Sequence, residues 1–189
     1  KVADPNSAST TVTMDDDYTV VANFTIDTHT VTFTAGANGF ITGSLLQVVN
    51  HGDNCTAVTA EANPNYHFAG WTGGYVGTDN PLTIQNVTTD MTITANFVID
   101  TFTLNYFAGA GGTLTGDTSQ VVSYAGNGTA VTAVPDTGYH FVNWSDASTE
   151  NPRTDLNVTA NISVTANFAI DQYTIAASAG LNGSITPSG

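Results

Sequence analysis

Apolar side chains alternate with polar or small ones along a segment that occurs three times in the chain. In the first copy the apolar positions are Tyr18, Val20, Ala22, Phe24 and Ile26. The same positions in the other copies are Met91, Ile93, Ala95, Phe97 and Ile99, and Ile162, Val164, Ala166, Phe168 and Ile170. A period of two residues predicts a β-strand with one buried face.

The alternation changes phase after an aspartate in each copy, at Asp27, Asp100 and Asp171. The apolar or aromatic positions that follow are His29, Val31, Phe33 and Ala35; Phe102, Leu104, Tyr106 and Ala108; and Tyr173, Ile175, Ala177 and Ala179. A slip of one residue turns every later side chain to the opposite face of a strand. The aspartate is therefore either a bulge in one long strand or a junction between modules. Because it ends each repeat unit, we interpret it as a junction with a very short linker.

Other landmarks recur at a fixed spacing and show tandem duplication. Trp71 and Trp144 are 73 residues apart, whereas "NP" recurs after 71 residues, so two residues are deleted in the loop that follows the tryptophan. Such self-similarity predicts an array of modules. We expect complete modules at 28–100 (the first module) and 101–171 (the second module), flanked by parts of repeats at 1–27 and 172–189. We expect the chain to be a window from a longer array.

Glycine and asparagine punctuate the predicted strands. The stretches "AGANG", "AGAGG" and "AGLNG" are typical of hairpin turns, in which Gly or Asn accepts a positive φ. The stretches "HGDNC", "AGNG", "NVTTD", "NVTAN" and "TMDDD" are further predicted turns. No segment is typical of a helix, and Thr, Val, Ile, Phe and Tyr carry the strands. The predicted fold class is all-β, a tandem array of small modules.

Charge narrows the range of functions. The formal net charge is −14, and Lys1 and Arg153 are the only basic residues. Binding to nucleic acid or to anionic membranes needs clustered basic side chains, which this chain lacks. No apolar run is long enough for a transmembrane helix. The single cysteine, Cys55, excludes an internal disulfide and leaves a thiol that is either free or bonded to another molecule.

Two polar stretches contain candidate metal ligands. "HGDNC" places His51, Asp53 and Cys55 at alternate positions, but the second module has Tyr124, Gly126 and Gly128 there. "MDDDY", residues 14–18, lacks the alternating ligands and distal glutamate of known calcium loops. Turn residues are the preferred interpretation of both, so we predict no metal ligand, no cofactor and no catalytic residue.

Aromatic residues gather twice, in "YHFAGW" and "YHFVNW". They favour the core of a small module over a platform that stacks on sugar rings. His67 and His140 point away from the flanking Tyr and Phe if these segments are strands, so both are expected to be exposed. No Ser, Asp or Glu recurs beside them in both copies, which argues against a catalytic group.

Possible glycosylation signals occur as two equivalent pairs. N-x-S/T begins at Asn54 and Asn86 in the first module and at Asn127 and Asn157 in the second. Turn preference in a chain rich in Asn and Thr explains most of them, and glycan addition stays open.

The order of landmarks resembles the divergent B-repeat modules named after the listerial internalins. The resemblance rests on "AGANGFITG", "TAVTAEANPNYHFAGW" and "NPLTIQNVTTDMTITANF" in the first module and on their counterparts in the second. It implies β-grasp-like β modules of large bacterial surface proteins, without catalytic residues. The second module departs from the pattern at "VNWSD", where the family usually has glycine before the tryptophan.

The leading hypothesis is a non-catalytic spacer, stalk or adhesive segment of an extracellular bacterial surface protein. The expected partners are neighbouring repeats of the same chain, with copies of itself or host glycans as further possibilities. A subunit of an extracellular filament is the first alternative. A carbohydrate-binding module that uses His67, Trp71 and their equivalents is the second.

Overall fold

A computed structural model of the chain describes residues 6–17 and 19–186 and is all-β, as predicted. The described residues include no helix, and therefore none that could cross a membrane. The strands are β1 (Thr28–Ala35), β2 (Gly39–Thr42), β3 (Leu46–Asn50), β4 (Thr59–Ala62), β5 (Tyr66–Gly73), β6 (Met91–Ile99), β7 (Thr101–Ala108), β8 (Gly112–Thr115), β9 (Ser119–Ser123), β10 (Thr132–Pro135), β11 (Tyr139–Trp144) and β12 (Ile162–Ile170).

Each module contains one mixed four-stranded sheet and one short antiparallel two-stranded sheet. In the first module the strand order is β3-β1-β6-β5, with β1 and β6 parallel and the outer pairs antiparallel. Strands β2 and β4 form the separate antiparallel pair. The second module repeats this arrangement as β9-β7-β12-β11 with β8 and β10. The alternating segments β6 and β12 therefore hold the centre of each sheet.

The alternation places one face of each sheet in a core. In the first module Val31, Phe33, Ile93 and Ala95 pack with Trp71. The second core contains Leu104, Tyr106, Val131, Ala133, Trp144, Val158, Val164 and Ala166. Burying an aliphatic or aromatic side chain stabilises a fold by about 1.5–3 kcal/mol, so these clusters supply the main driving force for each module.

The predicted turns after the first strand of each module are confirmed, but the prediction that they close hairpins is wrong, because β1 and β2, like β7 and β8, lie in different sheets. Asn38 has a φ of 70° and Gly111 a φ of 90°. A Cβ atom added at Gly39 or Gly112 would collide with the ring of Phe97 or Phe168, respectively. These glycines let the turn lie directly against the core aromatic of the last strand.

Asp100 alone separates the two sheets. Strand β6 ends at Ile99 in the first sheet, and β7 begins at Thr101 in the second. A single long strand with a bulge would have kept both segments in one sheet. The phase change therefore marks a passage from one sheet to the next.

The prediction of strands outside the two complete modules is wrong for the described residues. Residues 19–27 and 172–186 contain no strand, and Phe24, Ile26, Tyr173 and Ile175 are exposed. Strands β6 and β12 are each paired on both sides, whereas these segments pair with no strand in the described part of the chain. Alternation without partners leaves backbone groups to water and does not form a sheet. Tyr18 and residues 1–5 and 187–189 of the predicted partial repeats lie outside the described residues.

Candidate functional site

The junction residue Asp100 is held by both modules through its backbone. Its amide donates to the carbonyl oxygen of Asn65 at 2.9 Å, in the first module. Its carbonyl oxygen accepts from the amide of Tyr124 at 2.8 Å, in the second module. One residue thus closes the end of one sheet and the beginning of the next.

The side chain of Asp100 makes a further contact at the junction. The Nδ1 atom of His67 lies 2.9 Å from Oδ1 of Asp100, and the His67 side chain is 58% exposed. His140 and Asp171 repeat the contact at 2.9 Å. The predicted exposure of both histidines is confirmed, but the sequence did not indicate their aspartate partners. We call the backbone and side-chain contacts of Asp100 the junction clamp.

The register of β5 against β6 explains why the clamp forms. Tyr66 is opposite Ile99, so the preceding Asn65, with a φ of 68°, lies beside Asp100. In the second module Gly138, with a φ of 82°, takes the place of Asn65, and its carbonyl oxygen accepts from Asp171. The positive φ required here favours Asn or Gly at this position.

The other two junction aspartates each show half of the clamp. The backbone carbonyl oxygen of Asp27 accepts from the amide of His51 at 2.8 Å, as the carbonyl oxygen of Asp100 does from the amide of Tyr124. The backbone amide of Asp171 donates to the carbonyl oxygen of Gly138 at 2.8 Å, as the amide of Asp100 does to the carbonyl oxygen of Asn65. Asp100 joins both halves, which makes it the point where the two complete modules are tied.

The aromatic motifs form core, as the preferred interpretation predicted. Trp71 is 1% exposed and Trp144 is 0% exposed. The indole nitrogen of Trp71 donates to the carbonyl oxygen of Asp79 at 2.7 Å. Phe68 meets Trp71 edge-on at 5.3 Å between ring centroids. The hypothesis that Trp71 stacks on a sugar ring in a carbohydrate-binding module is therefore wrong, because the indole ring is buried.

The trio in "HGDNC" does not converge on one point. Cys55 is buried, the Asp53 carboxylate accepts from the Asn50 side chain at 3.0 Å, and His51 instead meets His29 at 2.9 Å. Residues 6–17 and 19–186 contain no group of three or more His, Cys, Asp or Glu side chains arranged for a metal ion. Burial raises the pKa of the Cys55 thiol, so a ready bond to another molecule is not supported.

The acidic stretch 14–18 behaves as a local bend in its described part. The Asp17 amide donates to Oδ1 of Asp16 at 2.8 Å. Tyr18 of the stretch lies outside the described residues. The turn interpretation is supported by this short-range contact.

The paired N-x-S/T asparagines bond to one another across each module. Oδ1 of Asn54 accepts from the amide of Asn86 at 2.8 Å. Asn127 and Asn157 repeat this bond at 2.9 Å. Asn86 and Asn157 both have a φ of 51°. Their recurrence thus has a structural cause in the turns.

A buried glutamine recurs at the same place in both modules, as Gln47 and Gln120. Gln47 donates to the carbonyl oxygens of Ser44 and Thr56 at 3.0 and 3.1 Å and accepts from the Thr56 amide at 2.8 Å. Gln120 makes the equivalent bonds in the second module. A polar residue that recurs on the inner face of a strand was the signal for this role.

The second module also buries an ionic network that the sequence did not indicate. Arg153 is 6% exposed, and its Nε and Nη2 atoms donate to the Asp155 carboxylate at 2.8 and 2.6 Å. Its Nη1 donates to Asp146 at 2.9 Å, and the Tyr106 hydroxyl donates to Asp155 at 2.7 Å. The guanidinium lies 5.6 Å from the centre of the Trp144 ring, within cation–π range.

The network changes the acidity of its members. Burial alone raises the pKa of Asp155, but hydrogen bonds from Arg153 and Tyr106 and the Arg153 charge outweigh it, so the pKa is lowered. Hydrogen bonds to Asp155 raise the pKa of Arg153. Burial, followed by the hydrogen bond to Asp155, raises the pKa of Tyr106. Arg153 and Asp155 are therefore both charged near neutral pH, and Tyr106 keeps its hydroxyl proton.

The comparisons with known proteins agree with the repeat pattern. The family model described as the divergent InlB B-repeat domain matches residues 29–101 and 102–172. Neither the curated proteins nor the solved structures give a match.

Proposed function

Since the chain belongs to the divergent InlB B-repeat family, we propose that it is a stiff spacer in an extracellular bacterial surface protein. Repeat domains of this family are associated with bacterial surface proteins and are generally non-catalytic. A spacer transmits position and force, so its function depends on how firmly successive modules are joined.

The observation that supports this proposal is the junction clamp. A linker of one residue has little conformational freedom, and Asp100 is bonded on both sides, to Asn65 and to Tyr124. A flexible tether would instead have a longer stretch rich in Gly and Ser. The chain therefore favours stiffness over reach.

Small-angle X-ray scattering tests the proposal on the whole chain. We expect the maximum dimension and the mass to stay constant across a concentration series. Insertion of Gly-Ser-Gly-Ser between Asp100 and Thr101 should broaden the distance distribution, because it separates the two halves of the clamp. The same insertion after Gly180, outside both matched repeats, is the matched control for added length. Equal broadening by the two insertions would contradict a stiff junction.

A second candidate function is a subunit of a self-assembling filament. It is favoured by the edge strand β3, where Leu46 and Val48 are 62% and 64% exposed. Exposed edges with apolar side chains are templates for pairing between chains. In the same scattering series the mass would then grow with concentration, and Val48→Lys would suppress the growth. A constant mass would remove this candidate.

A further inference from the structure

Two histidines of the first module face one another at its N-terminal end. Nε2 of His29, on β1, lies 2.9 Å from Nδ1 of His51, which follows β3. The His29 side chain is 19% exposed, and His51 is exposed to solvent. The second module has Phe102 and Tyr124 in these places, with ring centroids 6.4 Å apart. The nitrogen pair is thus particular to the first module.

A carboxylate accompanies the histidines and is also particular to the first module. Oδ1 of Asp90 lies 3.6 Å from Nδ1 of His29 and accepts from the Thr30 amide at 2.8 Å. In the second module Asn161 makes the same backbone bond to Thr103 without a charge. The structural role of position 90 therefore needs only an amide oxygen, and the charge occurs only where the histidine occurs.

We propose that His29 Nε2 and His51 Nδ1 together bind one divalent transition-metal ion, and that copper(II) fits best. With metal–nitrogen bonds of about 2.0–2.1 Å, two nitrogens at a right angle about the metal are about 2.9 Å apart. The observed separation is 2.9 Å, which is the length of the hydrogen bond between the two rings, so the rings need not move apart to bind the ion. Right-angled positions belong to the tetragonal geometry of copper(II) and nickel(II), and copper(II) has the highest affinity in the divalent series.

The negative charge of Asp90 favours the ion. Its Oδ1 lies 3.6 Å from Nδ1 of His29, which is too far for a hydrogen bond but close enough to attract a cation bound to the same ring. When the ion binds, it lies beside the line between the two nitrogens, and the proton that joins His29 to His51 moves to the other nitrogen of its own ring. Water completes the coordination on the solvent side, where His51 is exposed. The formal net charge of −14 adds a general attraction for cations.

Binding would link β1 to the chain segment after β3. Because the ion binds the folded first module and the unfolded chain lacks this geometry, copper should raise the unfolding temperature of the first module only. The second module serves as an internal reference. Each module contains one tryptophan, so 5-fluorotryptophan gives one ¹⁹F signal per module.

The test is a titration of the whole chain with copper(II) sulfate, followed by electron paramagnetic resonance. We expect one tight equivalent with two coordinated imidazoles, and a rise in the unfolding temperature of the Trp71 signal. The double variant His29→Phe/His51→Tyr carries the pair found in the second module, so it should fold. It should bind copper at least tenfold more weakly. Asp90→Asn, the second-module residue, should weaken binding by about tenfold, because it removes a negative charge close to the ion.

The matched control is His67→Ala/His140→Ala, which removes the other two histidines and should leave the tight equivalent unchanged. The ¹⁹F signal of Trp71 in each variant shows whether the first module is folded. Unchanged affinity in the folded double variant would overturn the proposal. A single coordinated imidazole, or a loss of the tight equivalent in the control, would overturn it as well.

Discussion

The two modules share one scaffold but fill the same part of the core in different ways. At three core positions the first module has an apolar side chain and the second a polar or charged one; one position is on the first strand and two are in the segment that leads into the last strand. These positions hold Phe33, Leu82 and Ile84 in the first module and Tyr106, Arg153 and Asp155 in the second. The first module is apolar there, and the second holds an ion pair with a tyrosine hydroxyl.

The difference shows that a polar group enters a core only with its partners. Arg153 stands where the first module has a leucine. Asp155, which accepts hydrogen bonds from both Arg153 and Tyr106, stands where it has an isoleucine, and Tyr106 stands where it has a phenylalanine. Among the described residues no buried side-chain nitrogen or oxygen lacks a hydrogen-bond partner. A buried ion pair seldom stabilises a fold more than apolar packing does, yet it is costly to break. The two modules therefore allow the same scaffold to be measured with and without the pair.

Breaking the pair should have the largest effect. Arg153→Leu leaves the Asp155 carboxylate, whose side chain is 13% exposed, without its cation. We expect the second module to lose about 3–5 kcal/mol of unfolding free energy. Urea unfolding followed by the ¹⁹F signal of Trp144 measures this loss, and the Trp71 signal is the internal control. A loss below about 1 kcal/mol would show that the pair is not isolated from water.

Replacing the three core residues of the network should reverse that loss. The triple variant Tyr106→Phe/Arg153→Leu/Asp155→Ile transplants the residues of the first module. We expect a stability equal to that of the native second module or higher by about 1–4 kcal/mol, as found when buried ion pairs are replaced by apolar residues. The same urea experiment applies. If the triple variant is as unstable as Arg153→Leu, the unpaired Asp155 carboxylate is not the cause of the loss.

Low pH should make the two modules differ in unfolding free energy, by less than the loss expected for Arg153→Leu. The folded pKa of Asp155 is lowered, so its contribution to stability is present above the unfolded value, about 3.9, and is lost as pH falls through the folded value. The first module has Ile84 at this position and lacks this contribution. Below about pH 4 the Trp144 signal should therefore lose stability in excess of the Trp71 signal. The excess should vanish in the triple variant, and its persistence there would assign it to another carboxylate.

The smallest expected effect on stability concerns the junction. His67 and His140 make the same contact at equal exposure, but only His67 contacts the aspartate that joins the two complete modules. Either histidine to alanine should cost about 1 kcal/mol or less. Only His67→Ala should loosen the second module relative to the first, as measured by ¹⁵N relaxation. Equal loosening by both substitutions would mean that the contact to Asp100 has no special role.

The sequence predicted the features that repeat and missed those that depend on a partner across the fold. Alternation around Ile93 and Phe97 and the turns at Asn38 and Gly111 follow from local rules, and they were confirmed. Local alternation failed at Phe24 because a strand needs neighbours that pattern alone does not supply. His29 and His51 are 22 residues apart in the sequence, and no local signal shows that they meet. In the sequence Arg153 stands out only as a rare positive charge.

The most direct test of the spacer proposal is a set of residual dipolar couplings from the native chain in a weakly aligning medium. If the junction clamp at Asp100 holds the two modules as one stiff unit, couplings from residues 28–99 and from residues 101–170 will fit one alignment tensor. Two tensors of different magnitude would show that the modules move independently. The clamp would then be a local contact, and the spacer would be flexible.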